Sequence, residues 1–199
     1  MRYNTILKGV EKPGRYIGGE WGQTLKDKDK VKARIAFCFP DTYEIGMSNL
    51  GVRILYGVLN KEPDVWCERS YAPWPDMEER MRENNIPLYA FESGDPISEF
   101  DIVAFTLQYE LCYSNVLNML ELGGIPLLAA ERGENDPIVI GGGPCAYNAE
   151  PVADFFDVFN IGEGEESLPE FARLYIKLKA EGADRETMLR EISHLEGFY

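Results

Sequence analysis

Four loop segments of the sequence combine glycine or carboxylates with side chains that can form hydrogen bonds, so a ligand site would be built from them. Segment 40–46 is acidic and aromatic, and segment 106–110 carries a threonine, a glutamine and a glutamate. Segments 141–144 and 162–165 are rich in glycine, which permits positive φ angles and a close approach of the backbone to a ligand. These residue types favour a large ligand that is neutral or hydrogen-bonding rather than polyanionic.

Each of the four segments follows a short apolar run that is typical of a β-strand. From residue 31 onward such runs alternate with helical segments, which indicates βαβ units and a mainly parallel sheet. We expect an α/β, doubly wound, five-stranded sheet of flavodoxin-like or Rossmann-like order 2-1-3-4-5, whose carboxyl edge gathers the four segments. The predicted strands are 33–39, 64–71, 100–107, 137–140 and 156–161, the shorter extended pieces are 86–91 and 125–128, and the helices are 48–60, 77–85, 113–122, 166–179 and 183–195.

Several familiar sites are absent from this pattern. The sequence has no G-x-G-x-x-G after its first strand and no G-x-x-x-x-G-K-[ST], so neither a dinucleotide fingerprint nor a P-loop is present. A phosphoacceptor receiver domain would carry an aspartate where this chain has Thr106. A flavodoxin-type phosphate loop after the first strand would bring the phosphate against Asp41 and Glu44.

Composition limits the possible partners of the chain. It has 199 residues, and its 20 Lys and Arg against 34 Asp and Glu give a net charge of −14, which disfavours autonomous binding to nucleic acid or to anionic lipid. No apolar run approaches the roughly 18 residues of a membrane span, and no signal-peptide core is present, so we expect a cytoplasmic protein. The four cysteines form no C-x-x-C, and the single histidine, His194, lies on a charged C-terminal helix. Zinc-ribbon and iron–sulfur spacings are therefore missing from this chain.

The chain is expected to have three parts. Residues 1–30 are polar and rich in turns, and we interpret them as an N-terminal extension that Tyr16, Ile17 and Trp21 pin to the body. Residues 31–182 form the α/β domain, and residues 183–199 form a C-terminal helix and linker.

The loop residues resemble a known family. Residues 41–46 have the frame D-x-H-x-x-G, with Tyr43 in the histidine position, and this frame resembles the one that marks cobalamin-binding domains. Residues 106–108 lie where those domains carry S-x-L, Gly141-Gly142 matches their later glycine pair, and 161–165 resembles the G-E-G-E turn ahead of the catalytic domain in cobalamin-binding radical SAM proteins. The phrases KPGRYIGGEW, FPDTYEIGMSNLG, APWPDME, LQYELCYSNVLNML and GGGPCAYNAEP are similar to one subfamily of those proteins. The candidate cofactor-binding residues that this resemblance implies are Asp41, Tyr43, Gly46, Thr106, Gln108, Gly141, Gly142, Gly143, Glu163 and Gly164.

The resemblance implies a modular parent protein. This chain would be its cobalamin-binding module, and a downstream radical SAM barrel would carry the C-x-x-x-C-x-x-C motif, the [4Fe–4S] cluster and S-adenosylmethionine. The chain would then be a module cut or detached at a domain boundary, without catalysis of its own. A neutral phenol is a weak cobalt donor, so cobalamin would bind without histidine ligation, with Tyr43 or Gln108 facing the lower side of the cobalt.

Two other functions are also compatible with the sequence. The first is an interaction domain that kept the fold but lost the cofactor, with Trp66, Tyr71 and Trp74 as a docking surface for the barrel. The second is an independent small-molecule enzyme that would use the carboxylates Asp41, Glu44 and Glu110 as acid and base.

Overall fold

A computed structural model describes residues 5–199. Five parallel strands form one sheet of order β2-β1-β3-β4-β5, which confirms the doubly wound α/β fold expected from the sequence. The central strand β3 is buried along its whole length, as its apolar sequence requires of a strand covered on both faces. The strands are β1 Ala33–Phe39, β2 Val65–Tyr71, β3 Ile102–Thr106, β4 Ile138–Gly142 and β5 Val158–Asn160.

Helices cover both faces of this sheet. One face packs against α3, α4 and the first described residues of the chain, and the other packs against α2, α5 and α6. The helices are α1 Tyr43–Ser48, α2 Leu50–Lys61, α3 Pro75–Glu83, α4 Tyr113–Gly123, α5 Gly164–Glu181 and α6 Arg185–Ile192. No helix in residues 5–199 is long and apolar enough to cross a bilayer.

The sequence-based assignment differs from the structure at three places. The predicted helix 48–60 is α2, which begins at Leu50 because Asn49 is extended and its Oδ1 accepts from Val52 N at 3.0 Å, whereas the short helix α1 has no counterpart among the predicted elements. Segment 86–91 is not a strand: it makes an isolated bridge from Tyr89 to Pro96 and a backbone hydrogen bond to β2 from Phe91 N to Arg69 O. Segment 125–128 is a loop after Gly124, whose left-handed conformation ends α4.

An N-terminal strap, residues 11–26, crosses the β2 side of the domain. Tyr16 is buried, and its carbonyl accepts from Tyr89 Oη at 3.1 Å. Thr24 N donates to Tyr56 Oη at 2.7 Å, which ties the strap to α2. Tyr16 therefore pins the strap as expected, whereas Ile17 and Trp21 are exposed and do not.

Both edges of the sheet are covered by other parts of the chain. Beside β2, Phe91 N donates to Arg69 O at 2.8 Å. Beside β5, Tyr199 N donates to Phe159 O at 2.9 Å, and Ile161 N donates to Gly197 O at 2.7 Å. The last three residues thus run antiparallel to β5.

Candidate functional site

A slot opens at the carboxyl edge of the sheet, between the sheet, α2 and α5. Its volume is about 180 Å³. Side chains of three neighbouring strands, Phe37, Ala104 and Ile140, form an apolar floor. The walls and mouth are formed by Gly51, Leu55, Thr106, Gln108, Gly142, Gly143, Asn160, Gly162, Glu163, Gly164, Glu165 and Leu168.

The end of β3 places an amide and a hydroxyl at the mouth of this slot. Gln108 Nε2 donates to Thr106 Oγ1 at 2.5 Å, so the two side chains orient each other. Leu107 N donates to Gly142 O at 2.6 Å, which holds the β3 and β4 loops side by side. Gln108 is only half-buried, so its amide oxygen is accessible from the slot and can accept a hydrogen bond from a ligand.

The three glycines at the end of β4 have different structural roles. A Cβ on Gly141 would lie 2.9 Å from Phe159 Cε1, so this glycine makes room for core packing. A Cβ on Gly142 would meet nothing closer than Asn160 O at 3.7 Å, so the space beside it belongs to the slot. Gly143 has φ +97°, and a Cβ there would lie 3.1 Å from Leu107 O. Only Gly143 requires glycine for its backbone conformation.

The turn from β5 into α5 contributes carboxylates. Glu163 and Glu165 line the mouth, and no side chain caps the N-terminus of α5. Asn160 is buried below them, and its Oδ1 accepts from Ser167 Oγ at 3.1 Å. Two carboxylate acceptors thus stand over a largely apolar slot, an arrangement that suits a ligand with an apolar body and N–H donors at its edge.

The loop after β1, in contrast to the loops that line the slot, is held by hydrogen bonds and packing contacts to the rest of the domain. Asp41 Oδ1 accepts from Thr42 N at 2.7 Å, and its Oδ2 accepts from the hydroxyl of Tyr109. This hydrogen bond, with a smaller effect of burial, raises the pKa of Tyr109 to about 12. Asp41 therefore links the β1 and β3 loops.

Tyr43, the first residue of α1, is held by the strap and by two aromatic rings. Its hydroxyl donates to Glu20 Oε1 at 2.5 Å, and its ring centroid lies 5.7 Å from that of Tyr71 and 6.0 Å from that of Phe91. Burial, and then the bond to Glu20, raise the pKa of Tyr43 to about 12. A Cβ on Gly46 would lie 2.3 Å from Tyr71 Cε1, so Gly46 is a packing residue of the same cluster.

Residues 51–199 match the family of N-terminal domains of radical SAM proteins. The chain belongs to this family. This radical SAM N-terminal domain is also 31% identical, over 141 residues, to the uncharacterized protein MJ0966 of Methanocaldococcus jannaschii. The match covers 69% of the chain but 26% of that relative, so the domain spans about a quarter of its length.

The structure divides the ten candidate residues of the radical SAM N-terminal domain into two groups. Six line the slot: Thr106, Gln108, Gly142, Gly143, Glu163 and Gly164. Four lie outside its lining: Asp41, Tyr43, Gly46 and Gly141. The apolar floor and Leu55 could not be recognised from the sequence, since apolar residues that line a slot follow the same strand and helix periodicities as core residues.

The other candidate groups of the radical SAM N-terminal domain are placed as follows. Trp66 and Tyr71 are buried, and of the expected aromatic docking group only Trp74 reaches the surface. Glu44 Oε1 pairs with Arg15 Nε at 2.8 Å, and neither Asp41, Glu44 nor Glu110 lines the slot. Within residues 5–199 no group of three or more His, Cys, Asp or Glu side chains is arranged to hold a metal ion.

Proposed function

We propose that this chain is the cobalamin-binding module of a radical SAM enzyme and that a corrinoid binds over the slot at the carboxyl edge. The observation that supports the proposal is the convergence of six candidate residues, from the ends of three adjacent strands, on one apolar-floored slot. Ligands of open parallel sheets bind at this edge. The bound corrinoid would supply the enzyme with an organometallic carrier.

In this proposal the chain's residues bind the periphery of the corrinoid rather than its metal. The floor of Phe37, Ala104 and Ile140 accepts an apolar ring, and Gly142 leaves it room. Gln108 and Glu163 offer acceptors to the carboxamide N–H groups that surround a corrin. Tyr43 would not bond cobalt, because it lies outside the lining of the slot and its ring is packed against Phe91.

The size of the slot implies that the chain forms only part of the site. Its volume of about 180 Å³ is below the roughly 300 Å³ at which small-molecule pockets usually begin. A whole corrinoid therefore needs a second wall. In the proposed parent protein this wall is the radical SAM domain, with its [4Fe–4S] cluster and S-adenosylmethionine.

Titration of the full-length, cofactor-free protein with hydroxocobalamin tests the proposal, with the visible spectrum and binding heat as readouts. Gly142→Val would fill the slot, and we expect it to weaken binding at least about tenfold, or about 1.4 kcal/mol. Tyr43→Phe is the control, and we expect an unchanged affinity and spectrum. The absence of a spectral change and of heat at high micromolar hydroxocobalamin and methylcobalamin would contradict cobalamin binding.

The second candidate function is an interaction domain that has lost its cofactor. It is favoured by the packing of the β1 loop, where Tyr43 and Gly46 serve a cluster with Tyr71 rather than an open site. If this function is correct, full-length protein purified from cobalamin-fed cells contains no corrinoid. Gly142→Val then leaves the activity of the parent enzyme unchanged.

A further inference from the structure

Met47, in α1, receives hydrogen bonds that its sulfur is poorly suited to accept. The Tyr71 hydroxyl donates to Met47 Sδ at 2.9 Å, and Arg69 Nη1 donates to the same atom at 3.2 Å. A thioether sulfur is a weak acceptor, so both donors are poorly satisfied. The contact is therefore a polar one, although methionine is usually a residue of apolar packing.

A third donor of the same group has no acceptor. Arg69 Nη2 is buried, and no atom of residues 5–199 accepts a hydrogen bond from it. The guanidinium is fixed in place, because Arg69 Nε donates to Glu92 Oε1 at 2.7 Å and Arg69 N donates to Glu92 Oε2 at 2.7 Å. A buried N–H group without an acceptor is unfavourable. Arg69 and Tyr71 thus hold more donors beside the Met47 sulfur than this atom can satisfy.

The sulfur of Met47 can be reached from solvent. Met47 is half-buried, as is Met188 on α6. The other methionines of residues 5–199 are at most 1% exposed: Met77, Met81 and Met119. Burial raises the pKa of the Tyr71 hydroxyl above its usual value of about 10, so this donor keeps its proton at neutral pH. A small oxidant can therefore reach the Met47 sulfur while the donors beside it are in place.

We propose that Met47 is a site of reversible oxidation by peroxides and that Arg69 and Tyr71 bind the oxygen of its sulfoxide. Hydrogen peroxide transfers one oxygen to Met47 Sδ. The S–O bond forms, the O–O bond breaks and the sulfur loses two electrons, while one proton passes between the two peroxide oxygens and the second oxygen leaves as water. The sulfoxide oxygen is a polar acceptor, and the unbranched side chain lets the sulfur move outward to make room for it. Reductases that act on methionine sulfoxide restore the thioether.

This site should respond to oxidation in the opposite way from an ordinary packed methionine. Oxidation usually disrupts packing because it places a polar oxygen among apolar atoms. Met188 is such a case, since it packs against an apolar cluster. At Met47 the new oxygen meets donors that are poorly satisfied or have no acceptor. Oxidation should therefore hold α1 more firmly, whether or not the slot binds a ligand.

Amide hydrogen exchange of the full-length protein, before and after treatment with hydrogen peroxide, tests this inference. Peptide mapping first identifies the oxidised methionines. We expect sulfoxide at Met47 and an exchange of α1 that is slower by at least about fivefold, the factor that corresponds to one hydrogen bond of about 1 kcal/mol. Sulfoxide at Met188 is the internal control and should make the exchange of α6 faster. A Met47 that stays unoxidised at millimolar peroxide, or an α1 that exchanges as fast as before or faster, would overturn the proposal.

Two pairs of variants repeat the comparison without an oxidant. Glutamine places an amide oxygen near the position of the sulfoxide oxygen, whereas leucine is an apolar replacement of similar volume. The exchange of α1 should be slower in Met47→Gln than in Met47→Leu, and the exchange of α6 should be faster in Met188→Gln than in Met188→Leu. Tyr71→Phe keeps the ring but removes one donor, so it should reduce the effect of oxidation at Met47. An exchange of α1 in Met47→Gln that equals or exceeds that in Met47→Leu, or a full effect of oxidation in Tyr71→Phe, would contradict the role of the donors.

Discussion

The loop after β1 and the loops after β3, β4 and β5 lie on one edge of the sheet but are built in opposite ways. In the first, Tyr43 and Gly46 pack against Tyr71, and Tyr43 also bonds Glu20 of the strap. In the second group, Gly142 and Glu163 border an open slot. Position at the carboxyl edge therefore does not by itself make a residue part of a site, since the neighbouring strap can bind a loop into the fold.

The glycines of these loops show most directly the contrast between packed and open positions. Gly46 is occluded by a ring at 2.3 Å, Gly143 is fixed by its positive φ, and Gly142 faces open space. Substitution by alanine should therefore give three different results at three positions of the same edge.

The largest effect is expected for Gly46→Ala. Its Cβ would overlap the buried Tyr71 ring, and we expect a loss of about 3 kcal/mol in the free energy of unfolding. Gly57→Ala on α2 is the control, because nothing lies within 4 Å of its Cβ, and it should stabilise the domain by about 0.5–1 kcal/mol. Urea denaturation measures both. Equal stabilities of the two variants would show that the Tyr71 ring does not occlude Gly46.

A smaller loss is expected for Gly143→Ala. The residue has φ +97°, and forcing alanine into this conformation should cost about 1–2 kcal/mol. Gly142→Ala should change stability by less than about 0.5 kcal/mol, because its nearest contact is at 3.7 Å. Thermal unfolding of the pair measures the difference. A Gly142→Ala loss as large as that of Gly143→Ala would mean that the slot is closed.

A loss of about 1 kcal/mol at pH 7 is expected for Tyr43→Phe, which removes the bond to Glu20. The pKa of Tyr43 is about 12 in the fold against about 10 unfolded. The unfolded chain therefore releases this proton first, and stability falls as the pH rises from about 10 to about 12. Tyr43→Phe should make this alkaline decline shallower in denaturation measured at several pH values. An unchanged decline would show that the pKa of Tyr43 is not raised in the folded domain.

The fold could be predicted from the sequence because its strands are short, nearly continuous apolar runs. The run 33–39 gave the bounds of β1, and the alternation of strands and helices gave the sheet order. The short helix α1 could not be predicted, since its six residues span too little of the 3.6-residue period to be recognised. At the site, the slot residues and the packing residues have the same types. Gly46 and Gly142 are distinguished by their neighbours in space. The ring of Tyr71, which belongs to β2, lies against Gly46, and this contact is not visible in the sequence.

The covering of both sheet edges has a consequence for assembly. An uncovered edge strand offers free backbone donors and acceptors to any other chain and is a common origin of aggregation. Here the segment around Phe91 occupies the β2 edge, and Gly197 and Tyr199 occupy the β5 edge. Strand-to-strand polymerisation is thereby blocked on both sides. Hydrophobic side chains can then stay exposed at one end of the molecule without turning the protein into a fibre-forming species.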